Sequence, residues 1–151
     1  MSGRYSFLLV DDDADDISLF GDVLNEVESG IELKIAMNGV EALEKLGQLH
    51  PDLPDIIFLD LNMPRMEGLE CLREIKASPQ FRHIPVIMYT TSSLSKDIEE
   101  AMMSGAICFI TKPTHVKELK FILSSIAGSL PGKLESTLRS LSNSGSTFIV
   151  C

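Results

Sequence analysis

Reactive side chains in this sequence fall where short apolar runs end. Asp11-Asp12-Asp13 follows Phe7 to Val10, Asp60 follows Ile56 to Leu59, Thr90-Thr91 follows Ile84 to Tyr89, and Thr111-Lys112-Pro113 follows Ile107 to Ile110. Brought together, the three carboxylates of Asp11, Asp12 and Asp60 and the one ammonium of Lys112 carry a net charge of about -2. Such a site is incomplete without a divalent cation. Hard oxygen donors suit Mg²⁺, which keeps several waters and leaves positions for a phosphoryl oxygen. Beside such a cation Asp60 can be a carboxylate nucleophile forming an acyl phosphate, with Mg²⁺ and Lys112 absorbing charge on the transferring group.

Simpler roles compete for some of these residues. An acidic helix start accounts for Asp13, Asp15 and Asp16, since an aspartate N-cap and first-turn carboxylates favour the helix dipole. It does not account for Asp11 and Asp12, like charges at the end of a buried strand. The 1-3-5 spacing of Asp11, Asp13 and Asp15 resembles a calcium loop, but Asp16 stands where the turn glycine belongs and Asp22 where the bidentate glutamate belongs. Asp60 alone reads as the start of a turn stiffened by Pro64 and Gly68. The hydroxyl run from Thr90 to Ser95 lacks the Gly-x-x-x-x-Gly-Lys pattern of a nucleotide loop. His50, His83 and His115 lie at element boundaries with no nucleophile motif beside them and read as surface residues. Cys71, Cys108 and Cys151 have no metal-ligand spacing; the first two read as small apolar residues, and a reducing cytoplasm is the expected compartment.

The elements that must position this chemistry alternate between two periods. Five strand candidates, Phe7 to Val10, Ile31 to Met37, Ile56 to Leu59, Ile84 to Tyr89 and Ile107 to Ile110, are each followed by apolar residues at helical spacing. That is the pattern of a parallel sheet with crossover helices. The second strand alternates apolar Ile31, Leu33, Ile35 and Met37 with Glu32, Lys34 and Ala36, which predicts a sheet edge; the first, third and fourth runs are continuously apolar and predict central strands. The fourth helix, crowded by Ser95, Lys96, Asp97, Glu99 and Glu100, is expected to be lightly anchored. In such sheets ligands bind outside the carboxyl ends of the strands, where the reactive residues collect.

With 151 residues the chain has room for one domain. One domain is expected over 1–130 and a C-terminal tail without a further domain over 131–151. Pro131-Gly132 stops a helix, Leu134, Leu138 and Leu141 support one or two turns, Ser142 to Ser146 reads as flexible, and Phe148-Ile149-Val150 is an apolar end expected to dock weakly. Thirteen Lys+Arg against 22 Asp+Glu leave a formal net charge of -9, which disfavours nucleic acid and anionic lipid as partners. The four-residue apolar run Phe7 to Val10 is too short for a signal peptide or a membrane span.

Four motifs in order, Leu9-Val10-Asp11-Asp12-Asp13, Leu59-Asp60-Leu61-Asn62-Met63-Pro64, Pro85-Val86-Ile87-Met88-Tyr89-Thr90-Thr91-Ser92 and Gly105-Ala106-(two residues)-Phe109-Ile110-Thr111-Lys112-Pro113, resemble those of response regulator receiver domains, the single-domain kind related to the chemotaxis regulator, over about Ser6 to Gly128. The resemblance implies a doubly wound five-stranded parallel α/β sheet in the order 2-1-3-4-5, the flavodoxin-like receiver fold. It implies Asp60 as phosphoacceptor, Asp11 and Asp12 as the acidic pair holding Mg²⁺, a backbone carbonyl from Asn62, Thr90 as switch hydroxyl, Lys112 as the conserved-type lysine, a cis Lys112-Pro113 bond and Phe109 as aromatic switch. A histidine kinase or phosphotransfer protein is the implied donor and an unspecified protein the implied downstream target. A shuttle passing phosphate to a histidine phosphotransfer protein is the alternative within this class. A Mg²⁺-dependent aspartyl-phosphate phosphohydrolase fits less well, because Asn62 stands where such enzymes place a second aspartate. The protein is thus expected to catalyse only its own phosphorylation and dephosphorylation.

Overall fold

Each continuously apolar run is bounded by residues that end it as a strand, and the intervening amphipathic stretches cross over as helices. In the computed structural model, which describes residues 5–144 and 149–151, these are β1 (Ser6–Val10), α1 (Ala14–Val27), β2 (Glu32–Ala36), α2 (Gly39–Leu49), β3 (Ile56–Leu59), α3 (Gly68–Ala77), β4 (Val86–Thr90), α4 (Ser95–Met103), β5 (Cys108–Thr111), α5 (Val116–Gly128), α6 (Leu134–Asn143) and β6 (Ile149–Val150). The first five strands are parallel in the order 2-1-3-4-5, and β6 extends the sheet beyond β5, running antiparallel to it. β2 lies at the edge, as its alternation predicts. β4 starts two residues later than expected, because Pro85 has no N–H to give the ladder; its carbonyl still accepts from Ile57 N at 3.0 Å.

Strand side chains alternate between two cores. Phe7, Leu9, Ile56, Phe58, Ile87, Tyr89, Cys108 and Ile110 point toward α1, α5 and α6, while Leu8, Val10, Ile57, Leu59, Val86, Met88 and Phe109 point toward α2, α3 and α4. The helices begin where capping chemistry allows. Asp13 caps α1 by accepting from Asp15 N and Asp16 N at 3.0 and 3.1 Å, and Asn38 caps α2 by accepting from Glu41 N at 2.9 Å. α4 has no side-chain cap of this kind and buries only Ala101.

Three features differ from the sequence expectations. The sheet has six strands, since Ile149 and Val150 pair with Ile110 and Phe109; a two-residue strand carries no periodic signal. Phe148 and the 145–146 part of the serine-rich stretch lie outside the described residues. Leu134, Leu138 and Leu141 sit in a ten-residue helix and are buried in the α1/α5 core, so α6 packs on the domain along its leucine stripe. Finally, Cys108 is not a free thiol: it is disulfide-bonded to Cys151, with Cα atoms 4.2 Å apart across a sequence separation of 43. The pairing of β6 with β5 brings them together, which spacing along the sequence does not reveal. Among the described residues no helix is long and apolar enough to cross a membrane.

Candidate functional site

The carboxyl edge of the sheet collects its charged residues by continuing the strand alternation. Asp11, Asp60 and Lys112 follow β1, β3 and β5 in phase with the side chains that face α1 and α5, whereas Thr90 and Phe109 are in phase with those that face α4. Asp60 is placed through its backbone, Asp60 N donating to Val10 O at 3.0 Å. The loop after it folds tightly: Gly68 N donates to Leu61 O at 2.8 Å, and a Cβ on Gly68 would overlap the carbonyl of Asp60. Gly68 is therefore needed for this close approach. Arg65 completes the turn in the left-handed region with φ 66.

Carboxylate oxygens of Asp11, Asp12 and Asp60 all lie within 4.8 Å of one another. Asp11 is fully buried, Asp60 is 7% exposed and Asp12 is open to solvent, so the cluster has a buried floor and an accessible side. Three converging hard oxygen donors with a solvent-facing opening fit a divalent cation that retains waters. Asn62 is exposed in the loop, two residues after Asp60.

Lys112 joins the cluster from β5. Its backbone N donates to Thr90 O at 2.7 Å, extending the ladder by one residue. Lys112-Pro113 is trans, contrary to the expectation of a cis bond; the cis bonds among the described residues are His50-Pro51 and Leu130-Pro131. Lys112 Nζ donates to Asp11 Oδ2 and to Asp16 Oδ2, both at 2.7 Å, and lies 3.6 Å from Asp60 Oδ2. Burial opposes charge on this ammonium, but the hydrogen bonds to Asp11 and Asp16 and the nearby Asp60 outweigh it and hold Lys112 above the usual lysine range. Burial likewise pushes Asp11 up, opposed by Lys112 and by Asp13 N, which donates to Asp11 Oδ1 at 3.0 Å. The ring of Tyr89 lies 5.6 Å from the ammonium and adds a favourable quadrupole.

Asp16 is the residue that sequence reasoning assigned to the helix dipole alone. Its place in the first turn of α1 sends the carboxylate back toward the strand end, and the spacing from the Asp13 cap is the one available signal. Its partner, 96 residues away, is visible only in the fold. Thr90 is fully buried at the end of β4, its Oγ1 accepting weakly from Ser92 N at 3.5 Å. Phe109 is buried beneath α4. Ser92 links the neighbourhood together: its carbonyl accepts from Thr111 Oγ1 at 2.9 Å and its hydroxyl accepts from Leu94 N at 3.3 Å. His50, His83 and His115 are exposed and stand apart from the cluster.

The sequence and the fold are matched by known proteins. The family model of the response regulator receiver domain matches residues 7–124. Response regulator Rcp1 of Synechocystis sp. is 35% identical over 116 residues, which cover 74% of this chain and 79% of Rcp1. The polar-differentiation response regulator DivK of Brucella ovis is 32% identical over 123 residues, covering 82% of this chain and 96% of DivK. Among solved structures, the phosphorylated cyanobacterial phytochrome response regulator RcpA superposes with a TM-score of 0.77 at 32% identity, covering 84% of this chain and 94% of that one. The Mn²⁺-bound form of Rcp1 superposes with a TM-score of 0.70 at 32% identity, covering 83% and 93%. In its motifs, its parallel sheet and its acidic carboxyl edge, the chain belongs to the response regulator receiver domain family of two-component signalling.

Proposed function

We propose that Asp60 is the phosphoacceptor of this receiver, taking a phosphoryl group from the phosphohistidine of a histidine kinase or phosphotransfer protein. The observation that carries this reading is the convergence of Asp11, Asp12 and Asp60 within 4.8 Å, with the Lys112 ammonium 3.6 Å from Asp60. Asp11, Asp12, Asp60 and the Asn62 carbonyl would hold Mg²⁺, a reading supported by the donor chemistry and by the Mn²⁺-bound state of the Rcp1 relative. When bound, the ion supplies positive charge against the phosphoryl oxygens. An Asp60 carboxylate oxygen attacks phosphorus as the P–N bond to the donor imidazole breaks, and the imidazole nitrogen takes up a proton from solvent. Lys112 neutralises charge building on the transferred group. Thr90 then donates its hydroxyl to a phosphoryl oxygen, and Phe109 follows the shift of the loop, reshaping the face of α4, β5 and α5 that meets the downstream protein. The chain thus modifies itself rather than turning over a metabolite, and acts in the cytoplasm.

The test is labelling with acetyl phosphate and Mg²⁺. One acid-stable acyl phosphate is expected on Asp60, lost on chelation and in Asp60→Asn. Persistent acid-stable label in Asp60→Asn would assign the acceptor to another residue.

A further inference from the structure

The chain carries two cysteine environments of opposite character. Cys71 is free, fully buried on α3, and its thiol is pushed up to about 12 by burial, with Glu74 and Glu70 adding to the effect. Cys151 is exposed and opens onto a cavity of about 280 Å³ lined also by Ile107, Glu135, Leu138 and Arg139. Its partner Cys108 is fully buried on β5, on the same face as α6. A small reagent therefore reaches Cys151, whereas Cys108 is accessible only to its neighbour.

The segment held by this pair is minimal. α6 is anchored by its own buried leucines, independently of the sulfur bridge. β6 has two residues, one buried side chain (Ile149) and a hydrogen bond from Ser142 Oγ to Ile149 O at 3.2 Å. Two ladder residues with one apolar anchor barely offset the entropy of ordering them. Of the elements near the bridge, β6 therefore has the fewest other contacts, whereas α6 keeps its leucine anchors. What β6 covers is the outer edge of β5, with Val150 opposite Phe109 and Ile149 opposite Ile110.

We propose that Cys108 and Cys151 form a redox modification site for a low-molecular-weight disulfide such as glutathione disulfide, and that its oxidation fastens β6 over the β5 edge. The Cys151 thiolate attacks one sulfur of glutathione disulfide, forming a mixed disulfide and expelling one glutathione thiolate, which takes up the proton Cys151 released. The Cys108 thiolate then attacks the Cys151 sulfur, closing the protein disulfide and expelling the second glutathione, which takes up the proton lost by Cys108. Two protein thiols are oxidised and one glutathione disulfide is reduced to two thiols. Reduced glutathione in excess reverses both steps. In cytosolic proteins a disulfide of this kind is characteristically a conditional one. Release of β6 bares the β5 backbone as a free edge able to accept another strand.

The full chain, equilibrated in glutathione buffers of increasing oxidised fraction and then trapped with a maleimide, tests this. The folded wild type is expected to lose two of its three thiols, to yield a Cys108-Cys151 cross-linked peptide, and to keep Cys71 unmodified until denaturant is added. Amide exchange at residues 110 and 149, whose N–H groups face each other across the β5–β6 pair, should slow by roughly tenfold or more on oxidation. The oxidised form should melt roughly 5–15 °C above the reduced form. Cys151→Ser, a change at an exposed position, should remove all three responses while leaving the fold intact. Cys108→Ala should instead accumulate the mixed disulfide on Cys151. The proposal is overturned if the folded wild type keeps all three thiols, if its mixed disulfide persists unresolved, or if the cross-link forms with edge exchange unchanged. None of these readings involves Asp60, so phosphoryl transfer stands or falls separately.

Discussion

The two faces of the sheet are packed by different means. On the α1/α5/α6 face four aromatic rings interlock: Phe20 meets Phe58 at 5.0 Å and Tyr89 at 5.5 Å, and Phe7 meets Phe58 at 5.3 Å between ring centroids. On the other face α2 and α3 are seated by Ala42, Leu46, Cys71, Leu72 and Ile75, but α4 rests on Ala101, with Ile98 and Met102 half-buried and Leu94 and Met103 turned to solvent. The strand alternation then sorts the site residues between them. Asp11, Asp60 and Lys112 continue the aromatic face, while Thr90 and Phe109 continue the face that carries α4. The groups to which the proposed function gives a fixed geometry for phosphoryl transfer thus grow from the aromatic layer. Those it proposes to move grow from the layer with the least anchored helix.

The largest effect that separates the faces is a matched pair of core truncations. Phe20→Ala removes the ring at the centre of the aromatic cluster and should cost about 3–5 kcal/mol of unfolding free energy, whereas Ile98→Ala on α4 should cost about 1 kcal/mol. Chemical denaturation of the two variants measures both. Equal losses would mean that α4 is as firmly held as α1, and the contrast would fail.

A smaller effect sharpens how the rigid layer holds the lysine. Lys112 is shared by Asp11, just after β1, and Asp16 on α1, which keeps its ammonium at 3.6 Å from Asp60 instead of in direct contact. Asp16→Asn removes a negative charge beside the acidic cluster and releases Lys112 toward Asp60. Both changes oppose a divalent cation, so Mg²⁺ affinity measured by titration calorimetry should fall roughly tenfold. Lys112→Ala should shift it the other way. Unchanged affinity in Asp16→Asn would show that the carboxylate serves only the start of the helix.

How far the sequence discloses this depends on the range of the interaction. β3 ends where its apolar run ends, and β2 alternates as an edge strand must, because both signals are local. The three motif aspartates, Thr90 and Lys112 are legible because each stands at or just past the end of a strand, and a parallel sheet brings all carboxyl ends to one side. The Lys112-Asp16 contact and the Cys108-Cys151 bridge are long-range and leave no trace in spacing. Three leucines indicate α6, yet their burial depends on a groove between distant elements that no local pattern describes.

The smallest effect concerns whether the looseness of the second face is confined to α4. Cys71 lies on α3, on that same face, with its Sγ near Gly39 O at 3.9 Å and no exposure to solvent. Burial raises its thiol from 9.0 to about 12, so between these values the unfolded chain releases a proton that the folded chain keeps. The unfolded state then binds fewer protons, and stability falls as pH rises. The contribution is fully present below pH 9.0 and is lost progressively toward about 12. At a pH of about 9.5 wild type should have lost on the order of 1 kcal/mol relative to its neutral-pH value through this group, a loss absent from Cys71→Ala. The comparison is one of slopes, so the cavity left by the alanine cancels. If α3 is seated as firmly as the aromatic face, maleimide should also react with Cys71 only at the rate of global unfolding. Equal pH slopes in the two proteins, or fast alkylation of folded wild type, would mean that α3 opens with α4 and that the whole second face is the mobile layer.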